Sequence, residues 1–189
     1  MMIFFLGSGL NSFLLTYLPS IASFPSSSGV HVLSRLLAAS VKVQLWLRIA
    51  AIFRQQRRFE EAKKCIAAAR AEKPCCRDVE YAAGRLSEAQ DDLPLAMSYF
   101  QQACVIDPMH ERSVRALGIA QYKQGLLDLA EGTLVNAIAL DRRSHKAWRA
   151  LGAVFQDSNP VRAVDCLFTA LDLEATSPLD DFATLPWIF

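Results

Sequence analysis

Apolar and polar positions alternate with helical spacing from about Val43 to Ala175, in segments separated by short polar or proline-bearing breaks. The spacing predicts four helix pairs. The first runs near Val43–Gln56 and Phe59–Ala71, and the second near Val79–Gln90 and Leu93–Val105. The third runs near Arg112–Gln124 and Leu127–Ala139, and the fourth near Lys146–Gln156 and Val161–Leu173. Pro74 and Pro108 cannot continue a helix and separate successive pairs, while Gly125 marks the turn within the third pair. The pattern then repeats itself at a step of 34 residues. Ala69, Ala103 and Ala137 keep that step, and so do Gly84, Gly118 and Gly152. Ala62, Ala96 and Ala130 keep it too, and Trp46 and Trp148 lie three steps apart.

A 34-residue period carrying Trp, Leu-Gly, aromatic, Ala and Pro at these offsets resembles the tetratricopeptide repeat. The resemblance implies an all-α solenoid, with repeats near 43–76, 77–110, 111–144 and 145–175. One such repeat cannot bury its own apolar face, so neighbours must stack. The small residues are expected to let helix axes approach, with Gly84, Gly118 and Gly152 facing Ala62, Ala96 and Ala130. Trp46, Ile49, Phe53, Ile66, Phe100, Leu117, Leu134, Trp148, Leu151, Phe155 and Leu167 are expected to fill the core between them. Phe53 to Ala62 is nine residues but Phe155 to Ala163 is eight, which predicts a shortened turn in the last repeat.

Both ends depart from the repeat. Residues 1–40 carry one charged side chain, Arg35, and form an apolar segment interrupted by Gly7-Ser8-Gly9, Asn11 and Pro19. A secretory signal would want a basic start and an unbroken apolar run. A membrane anchor would want roughly 20 consecutive apolar residues, which 2–24 only approach. The expected reading is a poorly ordered segment or weak helix without an evolved role. Ser20–Gly29 reads as a loop, and His31–Val43 as a short helix over the open edge of the first repeat. The tail 176–189, with Leu179, Phe182, Leu185, Trp187, Ile188 and Phe189, is expected to fold back as a cap; a partner-docking motif is the other reading.

Composition narrows the function. A formal charge of +1 argues against a nucleic-acid surface built on bulk charge. The five cysteines lack paired metal or redox spacing: Cys65, Cys104 and Cys166 read as small core residues, and Cys75-Cys76 as turn residues. His31, His110 and His145 stand apart, and no metalloprotease, nucleotide-loop or nucleophile motif appears. Asp91-Asp92 and Asp180-Asp181 read as solvated turns. No enzyme activity, metal or cofactor is therefore expected.

The first helices of the pairs line the inner face of such arrays. Their inward positions are Gln44, Leu47, Ala51 and Arg54, then Asp78, Tyr81, Arg85 and Glu88. Arg112, Arg115, Ile119 and Tyr122 follow, then Lys146, Arg149, Ala153 and Gln156. The candidate partner groove comprises Tyr81, Arg85, Arg112, Arg115, Tyr122, Lys123, Lys146 and Arg149, basic toward its C-terminal half. It reads either as a site for an acidic peptide or as ordinary solvated side chains. A carboxylate clamp of the chaperone-cofactor kind would want Asn where Arg48 and Ala82 stand.

The run from Ala163 to Pro178, AVDCLFTALDLEATSP, resembles the C-terminal end of the tetratricopeptide repeat protein 7 family. Tyr81–Leu86, Leu117-Gly118 and Lys146–Gly152 add to that resemblance, which covers roughly Val41 to Pro178. It implies a non-catalytic scaffold that assembles with hyccin and phosphatidylinositol 4-kinase type III alpha. A palmitoylated adaptor would bring that complex to the cytosolic face of the plasma membrane. Two other readings stand beside it: a membrane-anchored receptor binding acidic peptides for targeting or import, and the repeat arm of an enzyme such as a glycosyltransferase.

Overall fold

The computed structural model describes residues 27–156 and 158–176, with side-chain surroundings from Leu37 onward. The chain divides into two units, Met1–Ala38 and Ala39–Phe189. Of the first, only the helical stretch from Ser27 is described; the candidate anchor at 2–24 and the tail from Ser177 lie outside the described residues.

All regular structure among the described residues is helical. It comprises α1 (Ser27–Gln55), α2 (Phe59–Glu72), α3 (Arg77–Ala89), α4 (Leu93–Ile106), α5 (Glu111–Lys123), α6 (Leu127–Leu140), α7 (His145–Phe155) and α8 (Pro160–Thr176). Local chemistry sets these limits. Glu60 and Glu61 in the first turn of α2, and Asp78 and Glu80 in that of α3, suit the positive end of the helix dipole. The Asp92 carboxylate accepts the Leu95 amide at 3.1 Å and caps α4, with Pro94 beside it in the first turn. Asn159 accepts the Arg162 amide at 3.2 Å and starts α8 on Pro160.

The turns repeat as faithfully as the helices. Arg57, Asp91 and Gly125, each 34 residues apart, are all left-handed, with φ of 58°, 62° and 81°. After each, the next amide reaches back five residues, Arg58 to Phe53, Asp92 to Ser87 and Leu126 to Gln121, closing helix ends with a Schellman pattern. Lys73, Asp107 and Asp141 end the second helices with matched extended backbones, their amides donated to Ala69, Ala103 and Ala137. Asp107 and Asp141 also accept the amide two residues on, which fixes the step to the next repeat.

Packing follows the 34-residue step and corrects three expectations. Ala62, Ala69, Ala96, Ala103, Ala130 and Ala137 are fully buried. Each glycine opens a notch toward the second helix of its own pair. A β-carbon on Gly84 would lie 2.5 Å from the Phe100 ring, and one on Gly118 would lie 2.8 Å from Leu134 Cγ. One on Gly152 would lie 2.9 Å from Leu167 Cγ. Each glycine therefore receives the large residue of its own second helix, and the close approach is within the pair. Trp46, Ile49 and Leu167, expected in the core, are substantially exposed because they sit on the outermost helices.

The two other corrections concern α1 and α7. Ser27–Gly29 is helical, and His31–Val43 is continuous with the first repeat helix instead of folding over its edge. No proline or glycine lies between Gly29 and Gln55 to break it. In the last repeat the missing residue comes out of the helix: α7 has 11 residues where α3 and α5 have 13.

Candidate functional site

The inward register of the first two repeats closes around one cleft of about 640 Å³. Gln44, Leu47, Arg48, Ala51 and Arg54 of α1 form one wall, and Asp78, Tyr81, Ala82 and Arg85 of α3 the other. Arg112, at the start of α5, reaches the same cleft, and Ala50, Ile66 and Leu86 floor it. A smaller cleft of about 340 Å³ lies between α2 and α4. Its one arginine, Arg70, is held by Glu80 through two contacts of 3.2 and 2.8 Å.

Four arginines therefore meet one aspartate in the larger cleft. Arg54 is half-buried; loss of water and the neighbouring Arg85 guanidinium both hold its pKa below the usual arginine value, with Tyr81 and Glu88 opposing weakly. It donates no hydrogen bond among the described residues. Arg85 is fixed by Glu88 at 2.8 Å, and Glu88 also accepts from Lys123 of the next repeat. Tyr81 is set by aromatic neighbours, edge-on to His110 at 5.8 Å and tilted against Phe100 at 6.0 Å. Burial and the nearby Arg77 hold His110 below its ordinary pKa.

The eight residues singled out from the sequence divide in two. Tyr81, Arg85 and Arg112 line the cleft together. Arg115 does not: its guanidinium donates to Glu111 and to the Ser144 hydroxyl, each at 3.0 Å, and Ser144 in turn donates to Glu111 at 2.8 Å. That triad clamps α5 to the junction before α7, so Arg115 is a structural contact and not a free groove cation. Lys123 is engaged by Glu88, and Tyr122 packs beside Trp148 and Ile119 on the buried cluster of the last two repeats. Lys146 and Arg149 are exposed on α7, away from the cleft.

Arg48 and Arg54 were not among those eight, yet both stand in the cleft wall. Arg54 stood in the inward register, which was the signal for it; Arg48 stands at the place where a carboxylate clamp would want Asn, and there it brings a cation to the wall. Among the described residues no three His, Cys, Asp or Glu side chains gather as a metal site would, and no helix is long and apolar enough to cross a membrane.

Known proteins bear on this geometry. Residues 47–109 match the model of a tetratricopeptide repeat family. Human tetratricopeptide repeat protein 7A is 35% identical over 144 residues, which are 76% of this chain. The chain carries a tetratricopeptide-repeat array of the protein 7 kind. It spans 17% of the length of that relative. Among solved structures, PilF of Pseudomonas aeruginosa superposes with a TM-score of 0.68 at 20% identity, over 75% of this chain and 65% of that one. The first repeat domain of Spaghetti (RPAP3), bound to the HSP90 peptide SRMEEVD, gives 0.57 at 15% identity, over 62% of this chain and 94% of that one. These two likenesses concern the fold, an array of stacked helix pairs with an inner face.

Proposed function

We propose that this chain is a non-catalytic scaffold module that holds an acidic, extended segment of a partner protein in the cleft between its first two repeats. The observation that carries the reading is the charge of that cleft: Arg48, Arg54, Arg85 and Arg112 against Asp78, over an apolar floor. Such a surface pairs guanidinium groups with carboxylates while the floor takes an apolar side chain between them. The peptide carried by the Spaghetti domain, with two Glu and one Asp in seven residues, is a ligand of this type on a similar fold.

The likeness to protein 7A supports a finer reading. In it the partners are hyccin and phosphatidylinositol 4-kinase type III alpha, a palmitoylated adaptor supplies membrane attachment, and the chain reaches the cytosolic face of the plasma membrane only through them. The test is affinity purification of the tagged full chain beside an Arg48→Glu, Arg112→Glu variant. Both residues are exposed and form no hydrogen bond or ion pair among the described residues, so the array should fold unchanged. The expected outcome is recovery of hyccin or the kinase by the natural chain and a loss of at least about tenfold in the variant. Equal recovery by both chains removes the cleft from the reading, and recovery of neither partner removes the lipid-kinase assembly.

A further inference from the structure

One position of the 34-residue step is aromatic in the outer repeats and not in the inner ones. Phe53, Ser87, Gln121 and Phe155 occupy it in repeats one to four. The fourth repeat shows what the ring does there. Phe155 is 2% exposed and belongs to one buried cluster with Leu134, Ile138 and Cys166. The Arg162 guanidinium lies 4.0 Å over the ring and pairs with Glu131 at 3.4 Å. Side chains of α6 and α8 thus surround a ring carried by α7, and an ion pair closes over it.

Two steps back, the walls are kept and the ring is gone. Ile66, Arg70 and Tyr99 stand in the places of Leu134, Ile138 and Cys166, once the residue missing from the last repeat is counted. All three line the smaller cleft, between α2 and α4. Ser87 and Leu86, each 4% exposed, line it from α3. Leu95 and Lys63 take the places of Arg162 and Glu131, so no ion pair closes over this copy. Leu95 is 43% exposed, and Lys63 pairs instead with Glu60 of its own helix at 3.0 Å. With a hydroxymethyl group where its counterpart has a benzyl group, about 340 Å³ stays open, room enough for a phenyl ring.

We propose that this cleft is a docking site for an aromatic side chain, Phe or Tyr, that a partner protein presents to the face formed by α2 and α4. The occupant is read from the chain itself, whose fourth repeat holds a phenylalanine ring between matching walls. Charge points the same way. Lys63 and Arg70 both line the cleft, and a ring face attracts such cations where an aliphatic side chain does not. None of the four arginines of the larger cleft lines this one, so the site stands independently of the acidic-segment reading.

The test is selection of random peptides displayed on phage against the full chain, with counter-selection on two variants. Ser87→Phe puts the ring back on α3 and fills the cleft from within. Leu95→Glu sets a carboxylate at the mouth, where it repels a ring face. Position 95 lies in the first turn of α4, where an acid suits the helix dipole, so the array is retained. Circular dichroism checks both variants, and Leu95→Glu alone serves if Ser87→Phe does not fold. The retained peptides are expected to carry a Phe or Tyr whose replacement by Ala weakens binding more than about tenfold, with a loss of the same order on each folded variant. The proposal is overturned if no peptide is retained, including where another part of the chain fills the cleft. It is equally overturned if the retained peptides bind without an aromatic residue.

Discussion

An alanine at Gly118 would push its β-carbon into Leu134, whose backbone and side chain are both locked in the core, so the helices of the third repeat must part. Gly132, on α6, meets nothing within 4 Å, and there alanine only removes freedom from the unfolded chain. Gly118→Ala is therefore expected to destabilise by about 1–3 kcal/mol and Gly132→Ala to stabilise by about 0.5–1 kcal/mol. Urea denaturation of the two variants checks the sign at each position. His110 gives a second prediction. Its Nδ1 lies 2.7 Å from the Ser113 hydroxyl and its Nε2 3.9 Å from Asp78, with Arg77, Arg112 and Asp107 also acting on it. Its folded pKa is below the ordinary 6.5, so as pH falls the unfolded chain takes up the proton first. The stability present above pH 6.5 is then lost as pH falls through the lowered value. Melting temperature followed from pH 7.5 down to 5 should show this slope, and His110→Gln should flatten it; an unchanged slope would show that another group sets it.

Between helices, charged side chains matter where they bridge repeats and are partly hidden. The Arg115 and Glu111 side chains are each 15% exposed and share Ser144, which is itself buried. Lys63 and Glu60, on one helix face, are 51% and 76% exposed. Arg115→Ala leaves Glu111 and Ser144 short of a donor and is expected to cost about 1–3 kcal/mol, whereas Lys63→Ala should cost less than about 0.5 kcal/mol. Chemical denaturation separates them, and equal small losses would mean the triad is not holding α5 to α7. The same pair of helices shows what the sequence could and could not reveal. The 34-residue step made the helix pairs legible, since apolar spacing, Pro74, Pro108 and the small residues all follow it. It also placed Arg112 and Arg115 in the inward register. It could not show that Arg115 turns to Ser144, 29 residues away, because that contact depends on the angle between repeats. Nor could it show which side chain fills each glycine notch, since the offset between paired helices decides that. The run from His31 to Gln55 was misjudged for a different reason: the change in composition near residue 40 marks no break in the backbone, and a helix ends at a breaker.

Across residues 39–176 the array is a line of repeats, each stabilised mainly by its neighbours, so stability should vary along it. Phe100 and Leu134 are fully buried under helices on both sides, while Leu167 and Leu171 are 40% and 61% exposed. The fourth repeat is also the one with the shortened first helix and without the left-handed turn that closes the other three among the described residues. Opening α8 breaks one interface, with α7, whereas opening α4 or α6 breaks two. Native-state hydrogen exchange should therefore find the slowest amides in α4, α5 and α6 and much faster ones in α8. Gly152→Ala, which pushes Leu167 outward, should accelerate exchange in α7 and α8 while leaving α3 and α4 nearly unchanged. Gly84→Ala, pressed against the immobile Phe100 ring, should instead lower protection across the whole array, because the second repeat couples the first to the rest. Uniform acceleration by both variants would mean that the repeats open as one unit, and the nearest-neighbour account of this array would fail.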